Sequence, residues 1–420
     1  EGYELDEVRA RKSSSDAAAE FIADQTAKVL KQTSLLPEVL SPSDVIKIVG
    51  SLQHGERLPR GLVVELLSRQ LTYLKGLPNV QRVSMGKGQT VAVVGDLHGQ
   101  LQDLLHIFSL NGWPSEERLY VFNGDFVDRG PTSLEVVLVL FAWSQCFPDQ
   151  VFLNRGNHEE GTINAVYGFL ADCAHKYDKG IYDMFDECFR WLPLASLIDE
   201  KCLVVHAGIA TGLTLKMLDV LPRAKYSMDP LANPAEKAKQ PYYNRVVETV
   251  LWSDPQPKRG CISNRKRGAG CRYGPDVVQD FMSKEGLELI IRSHECVMEG
   301  VEWPYGMPNE SPRLLTLFSA SNYGGKTHNK GAFLTLAPGE VASPKVTRYE
   351  AQQVDETQVD VRNVQTLGQL VLENKQALRR HFAQLDPQST GKVTVAKWCE
   401  GMETALALSL PWLHLQPLLA

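Results

Sequence analysis

Cysteine is scarce in this sequence and shows no pairing pattern. The 420 residues hold 8 cysteines, and none of Cys146, Cys173, Cys188, Cys202, Cys261, Cys271, Cys296 and Cys399 falls in a Cys-x-x-Cys pair. This excludes the density of a disulfide scaffold and points to a reducing, cytoplasmic compartment. A basic excess is also lacking: 44 Lys and Arg face 50 Asp and Glu, a net charge of -6. A general nucleic-acid binder usually carries the opposite balance, so no nucleic-acid partner is expected. Long apolar runs are missing too. The longest, Leu134 to Trp143, is about half the ~20 residues a spanning helix needs, and no signal-peptide pattern opens the chain. A soluble protein without a transmembrane segment is expected. Because residue 1 is Glu rather than Met, nothing is read into missing flanks.

What is present is enough apolar residue, 43% of the chain, to bury a large core and leave room for an appendage. Residues 1–34, with the serine run Ser13-Ser14-Ser15 and an Ala-rich stretch, read as a mobile arm or a short docked helix. Residues 35–85 read as a helical lead-in, with Ser41 and Ser43 as candidate N-caps and helical spacing through Val45, Ile48, Val49 and Leu52, then Leu62 to Leu74. Over 86–340 the period changes. Short β-rich runs at Thr90–Val94, Leu119–Phe122 and Val151–Leu153 alternate with helical stretches at Leu101–Leu110 and Leu134–Trp143, a βαβαβ unit. Runs at Leu203–Val205, Leu289–Ile291 and Leu314–Phe318 extend the sheets, while Pro222–Tyr243 and Trp303–Pro312 read as surface excursions. After Pro338 the sheet pattern is expected to stop, and 363–412 reads as a helix-loop-helix module.

Polar residues able to bind metal or phosphate follow each apolar run. Gly95-Asp96-Leu97-His98-Gly99 follows the first, Gly124-Asp125-Phe126-Val127-Asp128-Arg129-Gly130 the second and Arg155-Gly156-Asn157-His158-Glu159 the third; His206 and His294 close two later runs. Ligands of open α/β sheets bind at the carboxyl ends of strands, where such loops converge. One Asp or His at a strand end is ordinarily a turn former, but three such motifs in order within one βαβαβ unit are hard to explain separately. Asp96, His98 and Asp125 can hold one ion; Asp125, Asn157, His206 and His294 can hold a second, with Asp125 bridging. Oxygen and imidazole donors without thiolate suit two divalent ions, Mn first, with Fe or Zn as alternatives. Such a pair activates water for in-line attack on a phosphate ester.

The three motifs resemble the GDxHG, GDxVDRG and GNHE signatures of the phosphoprotein (serine/threonine) phosphatase family over about Leu62 to Leu336. Trp252-Ser253-Asp254-Pro255, Arg267-Gly268, Ser293-His294-Glu295 and Ser319-Ala320-Ser321-Asn322-Tyr323 follow the family order. Ala207 departs from the usual His-Gly-Gly, and Gly324 stands where some members have cysteine. The resemblance implies an α/β metallophosphoesterase-type β-sandwich flanked by helices. It also implies roles: Arg129 and Arg267 grip the phosphoryl oxygens, His158 protonates the leaving oxygen with Asp128 orienting it, and Tyr323 closes the site. A phosphoprotein substrate is implied as well.

The tail segment Asp386–Lys397 has the length and central glycine, Gly391, of an EF-hand loop, but Gln388 and Lys397 stand where oxygen ligands belong. A degenerate EF-hand after such a catalytic region, with Leu410-Pro411-Trp412 following, is similar to the phosphatases with EF-hands of the retinal degeneration C type. That similarity implies calcium-sensor or calmodulin regulation as an expectation for a longer protein. A small-molecule phosphoesterase and a catalytically silent scaffold are the alternatives left open.

Overall fold

The computed structural model describes residues 34–228, 239–306, 312–350, 375–387 and 390–406. The expected N-terminal arm, the centres of both surface excursions and the Leu410-Pro411-Trp412 ending lie outside these residues. The first helix, α1 (Pro42–Gln53), starts where the sequence places a cap: Ser41 accepts from the Asp44 amide, and the Asp44 carboxylate returns the bond to the Ser41 backbone. Ser43 lies inside its first turn. The second, α2 (Arg60–Lys75), follows Pro59 and buries Val63, Val64, Leu66, Leu67, Leu71 and Leu74. The lead-in also contributes an edge strand, β1 (Val80–Val83), too short and too interrupted by Gln81 and Arg82 to read as a strand from sequence.

The next elements are β2 (Thr90–Val94), α3 (Leu101–Asn111), β3 (Arg118–Phe122), α4 (Ser133–Cys146) and β4 (Val151–Leu153), the anticipated βαβαβ unit with parallel pairing throughout. Helices α5 (Gly161–Tyr167), α6 (Phe169–Lys176) and α7 (Lys179–Arg190) lead to β5 (Ala195–Ile198) and β6 (Cys202–Val205). Then come α8 (Leu215–Asp219), α9 (Tyr242–Trp252), β7 (Asp254–Pro255), β8 (Cys261–Ser263), β9 (Cys271–Tyr273) and α10 (Pro275–Glu285). Strands β10 (Leu289–Arg292), β11 (Val301–Glu302), β12 (Leu314–Leu317), β13 (Gly331–Leu336) and β14 (Lys345–Tyr349) complete the sheets. Strand β14 lies beyond Pro338, where the sheet pattern was expected to stop. It is an edge strand paired antiparallel to β13 with only Tyr349 fully buried, so it offers no apolar run to read.

Two large sheets form, ordered β1-β5-β6-β10-β12-β11 and β14-β13-β2-β3-β4, beside a small third one ordered β7-β9-β8. Between them lies a layer including Val91, Val93, Leu119, Val121, Cys202, Val204, Leu289, Ile291, Leu315 and Leu317. The alternate residues of the same strands point outward. Ala92, Val94, Tyr120 and Phe122 meet the helices of the first half, and Leu203, Val205 and Ile290 meet those of the second. Because helices cover the outer faces, strands buried on both sides read as unbroken apolar runs. The Leu134–Trp143 run has the same origin: it lies in α4, packed against α1, α2, α3, α6 and β4 and buried all round. No helix among the described residues is long and apolar enough to cross a membrane.

At the tail, α11 (Lys375–Leu385) and α12 (Val395–Leu406) pack on each other. Their buried Leu378 and Met402 share a cluster with Phe382, Trp398 and, across the fold, Ala165 and Val166 of α5.

Candidate metal centre

Strands β2, β3 and β4 run parallel, as do β6, β10 and β12, so their carboxyl ends gather at one rim. Asp96 and His98 come from the loop after β2, Asp125 from that after β3, and Asn157 and His158 from that after β4. His206 follows β6 directly, and His294 lies two residues past β10. All these side chains are buried. The turns carrying them are tight: His98, Asp125, Asp128, Arg129 and His294 take positive φ of 42, 52, 71, 70 and 69°. Left-handed backbone in non-glycine residues costs about 1–3 kcal/mol each and clusters at functional sites. Gly124, at φ 85°, and Gly156 are required by close approach, since a Cβ on either would enter the backbone of the other loop.

Asp125 is the hub. Its Oδ2 lies 3.5 Å from His98 Nε2 and its Oδ1 3.4 Å from His206 Nε2. Asp96 Oδ2 is 3.7 Å from His98 Nε2, and Asn157 Oδ1 is 2.9 Å from His206 Nε2. The rings of His206 and His294 meet edge to face at 5.2 Å. Two overlapping groups, His98–Asp125–His158 and Asp125–His206–His294, each gather donor atoms within 4.8 Å. In His98 and His206 the Nδ1 atoms face backbone carbonyls, Val127 at 3.0 Å and Asn123 at 2.8 Å, which fixes the tautomer and turns the Nε2 lone pair inward.

This donor set fits two divalent cations. Among the described residues, neither Asp96 nor Asp125 has a Lys or Arg ion-pair partner, although both are buried. Burial and the neighbouring Asp125 charge push the Asp96 carboxyl up. Burial pushes Asp125 the same way but is outweighed by His206, His158 and His98, which hold it well below the usual carboxylate range. Burial drives His98 down to about 3, and the nearby His158 adds to it. His294 Nε2 is buried with no hydrogen-bond partner. Burial pulls His206 down but is outweighed by Asp125, which raises it to about 9; one imidazolium beside two adjacent buried carboxylates leaves the cluster in need of further positive charge, which bound cations would supply.

Beside the hub, His158 Nδ1 contacts Asp128 Oδ2 at 2.6 Å, and Asp128 Oδ1 accepts from the Phe169 amide at 3.0 Å. Burial pushes the Asp128 carboxyl up and brings the His158 imidazolium down to about 4. Arg267 is fixed by Asp254 at 3.0 Å and by the His294 carbonyl at 3.0 Å. Arg129 lies over the ring of Tyr167, 4.0 Å from its centroid, and its backbone N–H donates to the Tyr167 carbonyl. The Tyr323 ring sits 4.9 Å from that of His98. All eleven residues singled out from sequence are thus brought to one rim.

Sequence reasoning missed the supports. Glu159 accepts from the amides of Asp125, Phe126 and Gly156 at 2.7, 2.8 and 2.9 Å, tying the second loop to the third. Fully buried Arg292 binds Asp254, Glu295 and the Ala207 carbonyl, and so braces the Arg267 partner. Glu159 lay inside a quoted motif and Arg292 at the end of an apolar run, the two signals that could have found them.

A sandwich with a two-metal donor set at its rim defines a metal-dependent phosphoesterase. Residues 89–298 match the family model described as calcineurin-like phosphoesterase, and the chain belongs to that family. It is 37% identical to the serine/threonine-protein phosphatase rdgC of Drosophila melanogaster, over 90% of this chain and 58% of that protein. It is 33% identical to the human serine/threonine-protein phosphatase with EF-hands 1, over 89% and 62% respectively. The chain therefore spans about three fifths of the length of these curated relatives. A solved serine/threonine phosphatase from Saccharomyces cerevisiae, with similarity to human phosphatase PP5, superposes with a TM-score of 0.67 at 30% identity, covering 76% of this chain and 98% of that one.

Proposed function

We propose that the chain is the catalytic part of a cytoplasmic protein serine/threonine phosphatase of the EF-hand-bearing type, hydrolysing phosphoserine and phosphothreonine. The observation that carries it is the Asp125 hub flanked by the His158–Asp128 pair and by two arginines. Asp96, His98 and Asp125 would hold one ion, and Asp125, Asn157, His206 and His294 the other. Such ions, Mn, Fe or Zn, supply an activated water and neutralise charge on the phosphoryl group. The residues do the rest. Arg129 and Arg267 hold the phosphoryl oxygens through planar donor pairs. His158 delivers its proton to the departing serine or threonine oxygen, and Asp128 keeps the imidazole oriented for it. Tyr323 covers the side next to His98.

The division into lead-in 35–85, catalytic domain 86–340 and tail module 363–412 is part of the same reading. Calcium control would belong to the longer protein. In the tail loop, Asp386 already accepts from the Thr390 and Gly391 amides at 3.0 and 2.7 Å, and Lys397 Nζ donates to the Leu385 carbonyl at 3.4 Å. This loop therefore has its own cation and little use for calcium.

The test is release of phosphate from a phosphoserine peptide and from a dinucleotide polyphosphate, with and without Mn, in wild type, Asp125→Asn and His158→Asn. Mn-dependent peptide hydrolysis lost in both variants supports the proposal. Activity on the nucleotide alone moves the chain to small-molecule phosphoesters, and activity on neither leaves a binding scaffold.

A further inference from the structure

The stretch from Lys258 to Arg272 carries Lys258, Arg259, Arg265, Lys266, Arg267 and Arg272 and not one Asp or Glu, in a chain whose overall charge is negative. It forms the hairpin β8–β9, paired antiparallel with Ile262 opposite Arg272. Paired residues project to the same face, and here both are exposed, Ile262 to 55%. Arg265 and Lys266 sit exposed at the apex. Only Arg267 turns inward, to Asp254 and the His294 carbonyl. Arg259 has one long contact, 3.9 Å to Asp276, with its side chain 84% exposed. Among the described residues, Lys258, Arg265, Lys266 and Arg272 face no carboxylate at ion-pair distance.

The backbone under these cations is fixed. Asn264 donates to Asp254 at 2.8 Å, Gly270 to Glu248 at 2.9 Å, Cys271 to the Ser253 hydroxyl at 3.0 Å, and Gly274 to the Gly260 carbonyl at 2.8 Å. The arm is therefore a firm projection whose inner end belongs to the metal rim and whose outer end is an uncompensated positive surface.

We infer that this arm selects the substrate and favours phosphopeptides with acidic residues flanking the phosphorylated side chain. The inference rests on the phosphatase reading above. The continuity of the patch with Arg267 favours a peptide. Arg265 and Lys266 are within about 8 Å of Arg267 along the chain, and an extended peptide advances ~3.3 Å per residue. Acidic side chains about two to four positions from the phosphoresidue then fall on the cations while the phosphate reaches Arg267. A nucleic-acid duplex or a bilayer could touch the arm without placing a phosphoester at the rim. Exposed ion pairs are individually weak and screened by salt, so three together give a preference of about tenfold at low ionic strength, expressed mainly in KM.

The experiment uses the full chain with Mn and two phosphoserine peptides that differ only in carrying three Asp or three Lys beside the phosphoserine. Both kcat/KM and binding by fluorescence anisotropy are read for wild type and for the triple variant R265Q/K266Q/R272Q. A preference of about tenfold for the acidic peptide, abolished in the variant and by 1 M salt, is the expected result. Equal treatment of the two peptides by wild type overturns the inference, as does a preference unchanged in the variant. So does an arm that binds duplex DNA or anionic vesicles through these residues while the acidic peptide fails to compete. Absence of hydrolysis on both peptides counts against the phosphatase reading, and the binding difference still decides this one.

Discussion

Glu159 is the most demanding test of how the rim is held. Its Oε2 accepts from the Asp125 and Gly156 amides at 2.7 and 2.9 Å, and its Oε1 from Phe126 and Val127 at 2.8 and 3.4 Å. In Glu159→Gln only one oxygen remains. Whichever way the amide is turned, its NH2 faces two backbone N–H groups that have nowhere else to go. Stranding a buried donor costs about 1–3 kcal/mol, so the substitution should destabilise by ~2–6 kcal/mol, a fall in Tm of roughly 5–15 °C for a domain of this size. The cost should also depend on metal. Burial and then the Asp125 charge push Glu159 up to about 8. Without cations the group is largely protonated near neutral pH and resembles glutamine. Cations beside Asp125 would offset the second cause and shift Glu159 toward its ionised form. Differential scanning fluorimetry with Mn and with chelator should therefore show the larger Tm loss in the Mn-loaded protein, with kcat/KM down by about 10²-fold as the two loops separate. An equal loss in both conditions, or one under about 1 °C, would refute the reasoning.

Three further outcomes follow from the same structure. The proposed ligands come from both sheets, so chelation should loosen their junction, lowering Tm by several degrees with recovery on adding Mn, since a ligand at 100 times its Kd contributes about 2.7 kcal/mol; a Tm indifferent to chelator would count against a two-metal rim. Burial raises Asp103 to about 7 despite bonds from Ser321 and Gln100. Its contribution to stability is full below the unfolded value near 4 and lost as pH rises through 7, so Asp103→Asn should gain on wild type across that window in Tm against pH; parallel curves would contradict it. A hydrogen bond from Cys271 lowers Cys261 to about 7, whereas partial burial of its thiol raises Cys296 to about 11. Alkylation at pH 7.5 followed by peptide mass spectrometry should therefore find Cys261 modified first, and earlier labelling of Cys296 would be the wrong result.

The rim was largely legible because its donors sit one to four residues beyond apolar runs, where strand-end chemistry can be read directly. The division into two sheets was not. Cys202–Val205 and the Leu289–Ile291 part of β10 are apolar on both faces, and nothing in such a run says which neighbour it pairs with. Strands β1 and β14 escaped notice because Gln81, Arg82, Lys345 and Arg348 break any period, and pairing with β5 and β13 supplies what local propensity does not. The Tyr167 face under Arg129 is a tertiary fact with no sequence signature.

Lys397 has a wider consequence. An ion sensor works because its cation comes and goes with concentration. An ammonium on the chain itself stays at a fixed effective concentration, whatever the surrounding solution holds. The α11–α12 pair rests on Ala165 and Val166 of the helix that ends at Tyr167, and the Lys397 ammonium beside it donates to the Leu385 carbonyl. The pair thereby backs the helix whose Tyr167 ring lies under Arg129, so packing at the tail reaches the rim through a single helix.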